Sequence, residues 1–120
     1  MRLLSDNYGN LAFYQLFTRN FKATIESAQA GLNAYPDNDW INTNLALGYL
    51  LSGEVGKAET IYRTYKDKIY KNKGRKFKDG FLGDFKDLEE ANIITGNEPE
   101  VLKIKKLLST NTKHENLATE

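Results

Sequence analysis

The sequence predicts an all-α protein of about six helices, arranged as helix–turn–helix repeats. The chain resembles itself at an offset of 34 residues, which is the period of such a repeat. At this offset Asn10-Leu11-Ala12 aligns with Asn44-Leu45-Ala46, and Leu16 aligns with Leu50. Apolar residues also recur at steps of three and four along much of the chain, as on one face of a helix. No segment alternates with a period of two for long enough to indicate a strand.

The first repeat is expected to span about residues 5–38. Its two helices are separated by a tight turn at Arg19-Asn20, and Pro36 with the following polar residues indicates the end of the second helix. The second helix carries a continuous apolar stripe that consists of Phe21, Ile25, Ala28, Leu32 and Tyr35.

The second repeat is expected to span about residues 39–72, with a turn at Gly53-Glu54. Its first helix carries Ile41, Leu45, Gly48, Tyr49 and Ser52 on one face. Its second helix carries the stripe Ala58, Ile61, Tyr62, Tyr65 and Ile69, and is predicted to end at Asn72-Lys73-Gly74.

The last helix pair is expected over about residues 75–108. The first of these helices has the stripe Phe77, Phe81, Phe85 and Leu88. Asn97 followed by Pro99 and Glu100 predicts a capped start for the second. Residues 109–120 contain one apolar pair and no period, so we expect a single domain over 1–108 and a disordered tail over 109–120.

Small and large residues at fixed places in the two repeats resemble the tetratricopeptide repeat. The matching positions are Leu11-Ala12, Phe21, Ala28 and Pro36 in the first repeat, and Leu45-Ala46, Tyr49, Gly53, Ala58 and Tyr62 in the second. The first repeat departs from the pattern at Gln15, Thr24 and Gly31, and the second has Tyr70 in place of the closing proline. Residues 75–108 resemble the helix pair that closes many bacterial proteins of this family. The resemblance implies a short right-handed solenoid.

Composition excludes several classes of protein. The chain has 120 residues, enough for one domain, and 40% of them are hydrophobic. It has no cysteine, which excludes disulfides and zinc–cysteine sites. Its longest apolar run, Leu45 to Leu51, is too short to cross a membrane, and the start lacks the apolar stretch of a signal peptide. We therefore expect a cytoplasmic protein without membrane insertion.

The sequence offers little for catalysis. The single histidine, His114, lies in the polar tail, and none of the four serines has the sequence context of a nucleophile. Asp84, Asp87 and Glu90 are spaced along one helix edge, where a solvated acidic face is a simpler interpretation than a cation site. Gly80 and Gly83 are interpreted as positions of close helix packing. We expect a non-catalytic protein without a cofactor.

The family resemblance implies a concave groove that is formed by the first helices and binds a peptide. In such proteins an asparagine at the place of Asn10 and Asn44 often binds the ligand's backbone, and Lys78 lies 34 residues after Asn44. The alternative is that these asparagines bond to their own scaffold. The predicted peptide-binding groove residues are Asn10, Phe13, Phe17, Asn44, Leu47, Leu51 and Lys78. An acidic chaperone tail is not an expected ligand, because the lysines that would bind its carboxylates are missing.

A second hypothesis comes from the charge distribution. Residues 57–78 contain nine bases and two acids, whereas residues 79–100 contain one base and seven acids. The basic stretch favours binding of nucleic acid or another polyanion, unless the acidic stretch folds back and neutralises it. The candidate residues are Lys66, Lys71, Lys73, Arg75 and Lys76. We regard a protein or peptide as the expected partner and nucleic acid as the alternative.

Overall fold

The structure is a computed structural model that describes residues 2–72 and 74–110. Within this part of the chain there are six α-helices and one 3₁₀ turn, and the only β-type pairing is an isolated bridge between Ile69 and Lys76. The prediction of an all-α protein with about six helices is confirmed. The elements are α1 (Arg2–Phe17), α2 (Phe21–Ala34), the 3₁₀ turn (Asp39–Ile41), α3 (Asn42–Leu51), α4 (Val55–Tyr65), α5 (Phe77–Glu90) and α6 (Pro99–Ser109).

The helices pack in a regular order. α1 packs on α2, α2 on α3 and α3 on α4. Contacts also join alternate helices, since α1 touches α3, α3 touches α5 and α4 touches α6. As a result α1, α3 and α5 adjoin in turn along one side of the molecule.

Both tight turns that the sequence predicts are present, between α1 and α2 and between α3 and α4. At the first, Arg19 has a positive φ of 61°, and the Asn20 side chain caps α2 by accepting a hydrogen bond from the Ala23 amide at 3.3 Å. The Arg19 guanidinium donates to the carbonyls of Asn92 and Ile93 at 2.9 and 3.1 Å. This residue therefore ties the α1–α2 turn to the chain that follows α5.

The core is largely aromatic between α4 and α5. The rings of Tyr62 and Phe81 meet edge to face with centroids 4.7 Å apart, and those of Tyr65 and Phe77 are 4.6 Å apart. Ala58 is fully buried in the same cluster. A second cluster consists of Ala12, Ala28, Ile41 and Leu45. Small residues lie at contacts between helices, where they let the backbones approach closely.

The end of α4 differs from the prediction. The helix stops at Tyr65, not at residues 72–74, and Ile69 is 57% exposed rather than part of the buried stripe. The chain from Lys66 onward forms a loop closed by hydrogen bonds from Tyr70 N to Arg75 O and from Phe77 N to Lys68 O. Tyr70 takes the core position instead, with its ring 4.6 Å from that of Phe77.

The last helix also begins differently. Its N-cap is Glu98, not Asn97, and the Glu98 carboxylate accepts hydrogen bonds from the amides of Thr95 and Gly96 at 2.9 Å. α6 includes Ser109, the first residue of the predicted tail, while residues 111–120 lie outside the described residues. Over residues 2–72 and 74–110, no helix combines the length and the apolar character needed to cross a membrane.

Candidate functional site

A groove lies across the side of the molecule where α1, α3 and α5 adjoin. Its volume is about 200 Å³. The side chains that line it come from these three helices, from the 3₁₀ turn and from the loop between α4 and α5. We call it the central groove, and its lining residues are Asn10, Phe13, Tyr14, Trp40, Thr43, Asn44, Tyr70, Arg75, Gly80 and Asp84.

The central groove has a buried floor and an exposed rim. Thr43, Asn44 and Tyr70 are no more than 7% exposed and form the floor together with Gly80. Asn10, Tyr14 and Arg75 are exposed and form the rim. The half-buried residues Phe13, Trp40 and Asp84 lie between the two levels. A ligand would meet aromatic rings and polar rim groups first, and then a polar floor.

Asn44 is held by the scaffold. Its side-chain amide donates a hydrogen bond to the Gly9 carbonyl at 3.1 Å, which joins α3 to α1. The neighbouring Thr43 hydroxyl donates to the Trp40 carbonyl at 2.8 Å. Of the two interpretations of the asparagines, bonding within the scaffold therefore describes Asn44, whereas the exposed Asn10 lies on the groove rim.

Trp40 lies in the groove because Gly9 leaves room for it. A β-carbon at Gly9 would collide with the Trp40 ring and would lie 2.9 Å from Ile41. Any larger residue at position 9 would therefore displace the indole from α1. The same glycine also supplies the carbonyl that Asn44 binds.

Tyr70 and Gly80 are matched in a similar way on the groove floor. The Tyr70 hydroxyl occupies the space where a β-carbon of residue 80 would lie. The predicted close helix packing at Gly80 and Gly83 is therefore wrong: Gly80 packs against this loop tyrosine, and a β-carbon at Gly83 would meet only the Arg75 guanidinium, at 3.8 Å. Burial raises the pKa of Tyr70 to about 12, and the negative charge of Asp84 adds to this effect.

Asp84 is the unusual ionisable group of the site. Its pKa is raised to about 7, mainly by burial and also by the charge of Asp87, although the Thr43 side chain and the positive charge of Arg75 oppose the shift. Among residues 2–72 and 74–110, no basic nitrogen lies within 4.0 Å of the Asp84 carboxylate. The groove therefore contains a carboxyl group without an ion-pair partner in the described chain.

The structure places three of the predicted groove residues, Asn10, Phe13 and Asn44, in the central groove. The other four do not line it. Leu47 is 1% exposed and belongs to the core, and Phe17 and Leu51 pack against that core. Lys78 lies instead in a separate depression, together with Lys68 and Lys76. Repeat spacing predicted which helices meet, but not which of their faces remain open.

The sequence analysis did not predict that Tyr14, Trp40, Thr43, Tyr70, Arg75 and Asp84 line this groove. Asp84 was expected on a solvated acidic edge, but only Asp87 and Glu90 are exposed there. The sequence does contain a sign that Asp84 is partly buried. It lies three residues after Phe81 and four before Leu88, at the border of the apolar stripe of α5. No group of three or more potential metal-ligating side chains occurs in the described part of the chain.

The predicted polyanion-binding residues do not share one surface, although Lys66 and Lys76 line the same depression as Lys68 and Lys78. Lys66 is 8% exposed, and its ammonium donates to the carbonyls of Thr110 at 3.0 Å and Leu107 at 3.5 Å, at the end of α6. Lys71 pairs with Asp37 at 3.2 Å. Arg75 belongs to the central groove and the exposed Lys76 precedes α5, while Lys73 lies outside the described residues.

Comparison with known proteins yields no relative: no protein-family model, no curated protein and no solved structure matches this chain.

Proposed function

We propose that this chain is a non-catalytic, tetratricopeptide-like module that binds a protein or peptide segment in the central groove. In this proposal two repeats and a closing helix pair form a short right-handed solenoid, in which α1, α3 and α5 line the concave side. The observation that carries the proposal is that one groove is bounded by these three alternate helices. The 34-residue self-similarity and the contacts between alternate helices support the same assignment.

The chemistry of the groove suits an extended chain. The exposed Asn10 carboxamide offers two donors and an acceptor, which pair with peptide backbone groups whatever the side chain. Phe13 and Tyr14 form an aromatic wall, with ring centroids 6.1 Å apart and an edge-to-face arrangement. Because the groove is short, we expect an affinity in the range of about micromolar dissociation constants.

The proposal is tested by selecting ligands from a library of displayed random peptides on the immobilised chain. The selected peptides are then titrated against Asn10→Ala and against Asn33→Ala, a matched control at an exposed asparagine of α2. We expect Asn10→Ala to weaken binding by about 1–3 kcal/mol, because groups of the bound backbone lose their partner in a desolvated contact. Asn33→Ala should leave the affinity unchanged.

Two results would overturn this assignment. One is a selection in which no peptide is enriched over a surface without protein. The other is a selected peptide whose chemical-shift changes map to α2 and α4 instead of to the central groove. Asn44→Ala is not a clean probe, since its amide supports α1 and its loss would also lower stability.

A further inference from the structure

We propose that the central groove selects a segment with a lysine, whose ammonium group pairs with Asp84 while its alkyl stem lies along the aromatic wall. This inference rests on the proposed function, because it names the side chain that a peptide in that groove must carry. It follows from the charge, burial and surroundings of Asp84.

Charge complementarity carries the first step. Asp84 lines the groove from α5, is half-buried, and has no ion-pair partner in the described chain. A carboxylate in such a site has lost much of its hydration, and a cation from a ligand would restore the interaction that water no longer provides. The vacant partner position therefore favours a positively charged ligand group.

The aromatic rings that line the groove together with Asp84 carry the second step. Phe13, Tyr14, Trp40 and Tyr70 all line the same groove. Aromatic rings attract ammonium groups through their quadrupoles, and tryptophan does so most strongly. They also provide apolar surface for the four methylenes of a lysine stem, which commonly lies along such surfaces while its charged end reaches a polar group.

The partial burial of Asp84 favours a side chain over a peptide N-terminus. Asp84 is half-buried, whereas Asn10, Tyr14 and Arg75 on the same groove are exposed. A lysine ammonium stands at the end of four methylenes, so it can meet a half-buried carboxylate while the peptide backbone remains beside the exposed Asn10. An N-terminal ammonium has no such stem and would bring the backbone itself to the carboxylate.

Arg75 is the group that opposes this ligand. It is exposed on the rim, and its positive charge partly offsets the raised pKa of Asp84. If the ligand group is a cation, removing the charge of Arg75 should strengthen binding. If the ligand group is an anion, the same change should weaken binding, so the sign of the effect distinguishes the two.

The ionisation of Asp84 makes binding dependent on pH. The charged groups that act on this carboxyl are Asp87 on α5 and Arg75 in the loop, and the hydroxyls of Tyr62 and Tyr70 face it without charge near neutral pH. Its pKa of about 7 means that most of it is ionised at about pH 8 and little of it at about pH 6. A lysine ligand stays charged over this range, so its affinity should fall about tenfold from the higher pH to the lower.

The experiment uses the full chain and three tripeptides with blocked ends that differ only in a central lysine, norleucine or glutamate. A fourth peptide is the norleucine tripeptide with a free N-terminus. Binding is followed at about pH 8 by the fluorescence of Trp40, the single tryptophan, and by amide chemical shifts. We expect the lysine peptide to bind at least about tenfold more tightly than the norleucine peptide. Asp84→Asn should abolish this preference, Asp87→Asn should preserve it as the matched control, and Arg75→Gln should increase it.

The outcomes separate the two proposals. The lysine inference is overturned if the lysine and norleucine peptides bind the groove equally well. It is also overturned if the glutamate peptide binds more tightly and Arg75→Gln weakens that binding. Either result leaves peptide binding in the groove intact. Equally tight binding of a norleucine peptide with a free N-terminus would also overturn it. No change at any groove resonance with all of these peptides would contradict the lysine inference, and the library selection then decides separately on peptide binding. Arg75→Gln keeps the test decisive even if Asp84→Asn fails to fold.

Discussion

At the scale of single residues, burial decides what a polar side chain does in this protein. Asn10 and Asn44 stand 34 residues apart and are both followed by Leu-Ala, yet Asn10 is exposed, whereas Asn44 is 2% exposed and bonded to the Gly9 carbonyl. Asp84 and Asp87 are one turn apart on α5, yet only Asp84 lies in the groove. The sequence shows the type and spacing of these residues. Whether each side chain is exposed or buried depends on the other helices that pack around it.

The raised pKa of Asp84 has a consequence for stability that a single substitution tests. Its folded-state pKa is about 7, above the usual value of 3.8, so between these two values the folded protein holds more protons than the unfolded chain. The free energy of unfolding therefore falls as pH rises from about 4 to about 7. We expect Asp84→Asn, which cannot ionise, to be more stable than the parent chain by on the order of 1–3 kcal/mol at about pH 8.

Denaturant unfolding of both chains across this pH range checks the prediction. The difference in unfolding free energy between variant and parent should shrink as pH falls and approach zero at about pH 3, below both pKa values, where Asp84 is mostly protonated in both states. Asp87→Asn is the control and should change stability little, because Asp87 is exposed. If Asp84→Asn raises the unfolding free energy by the same amount at every pH, then ionisation of Asp84 does not destabilise the folded protein, and the prediction is wrong.

At the scale of helices, the sequence predicted those features that depend on neighbouring residues in the chain. Apolar spacing predicted the helices, and the turns at Arg19-Asn20 and Gly53-Glu54 lie where expected. Gly53 has a positive φ of 95°, a conformation that glycine adopts without strain. The end of α4 was missed because Ile69 continues the stripe of that helix in sequence. Packing of Tyr70 onto Phe77 and burial of Lys66 against the end of α6 favour a loop there.

The predicted register of α4 is tested by placing a charge at its contact. Ala58 is fully buried between helices, so Ala58→Arg would bury a guanidinium without a partner. We expect a loss of several kcal/mol in unfolding free energy, or a chain that does not fold. Thr60→Arg, at an exposed position of the same helix, is the matched control and should unfold like the parent chain. Equal stability of the two variants in thermal unfolding would contradict the packing of α4 described above.

At the scale of the whole molecule, the 34-residue period predicted that α1 and α3 adjoin, and they do. It did not predict the central groove, because Arg75, Gly80 and Asp84 lie beyond the two predicted repeats, and Trp40 and Tyr70 lie in the 3₁₀ turn and in the α4–α5 loop rather than in the predicted α-helices. The side chains of Trp40, Tyr70, Arg75 and Asp84 meet only when these elements pack together. The 34-residue self-similarity of the sequence therefore predicts which helices adjoin, but it does not predict which side chains line the groove.

The distribution of charge over the whole molecule leads to the last prediction. Several bases of the stretch are engaged elsewhere, since Lys66 caps α6, Arg63 and Lys71 pair with Glu59 and Asp37, and Arg75 lies in the groove. Lys68, Lys76 and Lys78 are left together around one depression, which is a small number of cations for a polyanion. A polyanion gains affinity mainly by meeting many cations at once, which releases its counterions. We therefore expect only weak, steeply salt-dependent binding of a single-stranded oligonucleotide.

Fluorescence anisotropy with a labelled oligonucleotide measures this at physiological salt, where non-specific electrostatic binding lies at about 10⁻⁴–10⁻⁶ M. Replacing Lys71, Lys73, Arg75 and Lys76 together by glutamate should remove even this binding and leave the helical circular dichroism unchanged, because the described members of this set are exposed. The lysine tripeptide should respond far less to salt than the oligonucleotide, since a single ion pair releases few counterions. A sub-micromolar dissociation constant for the oligonucleotide that the fourfold variant abolishes would reverse the assignment, and would make the basic stretch the principal binding surface.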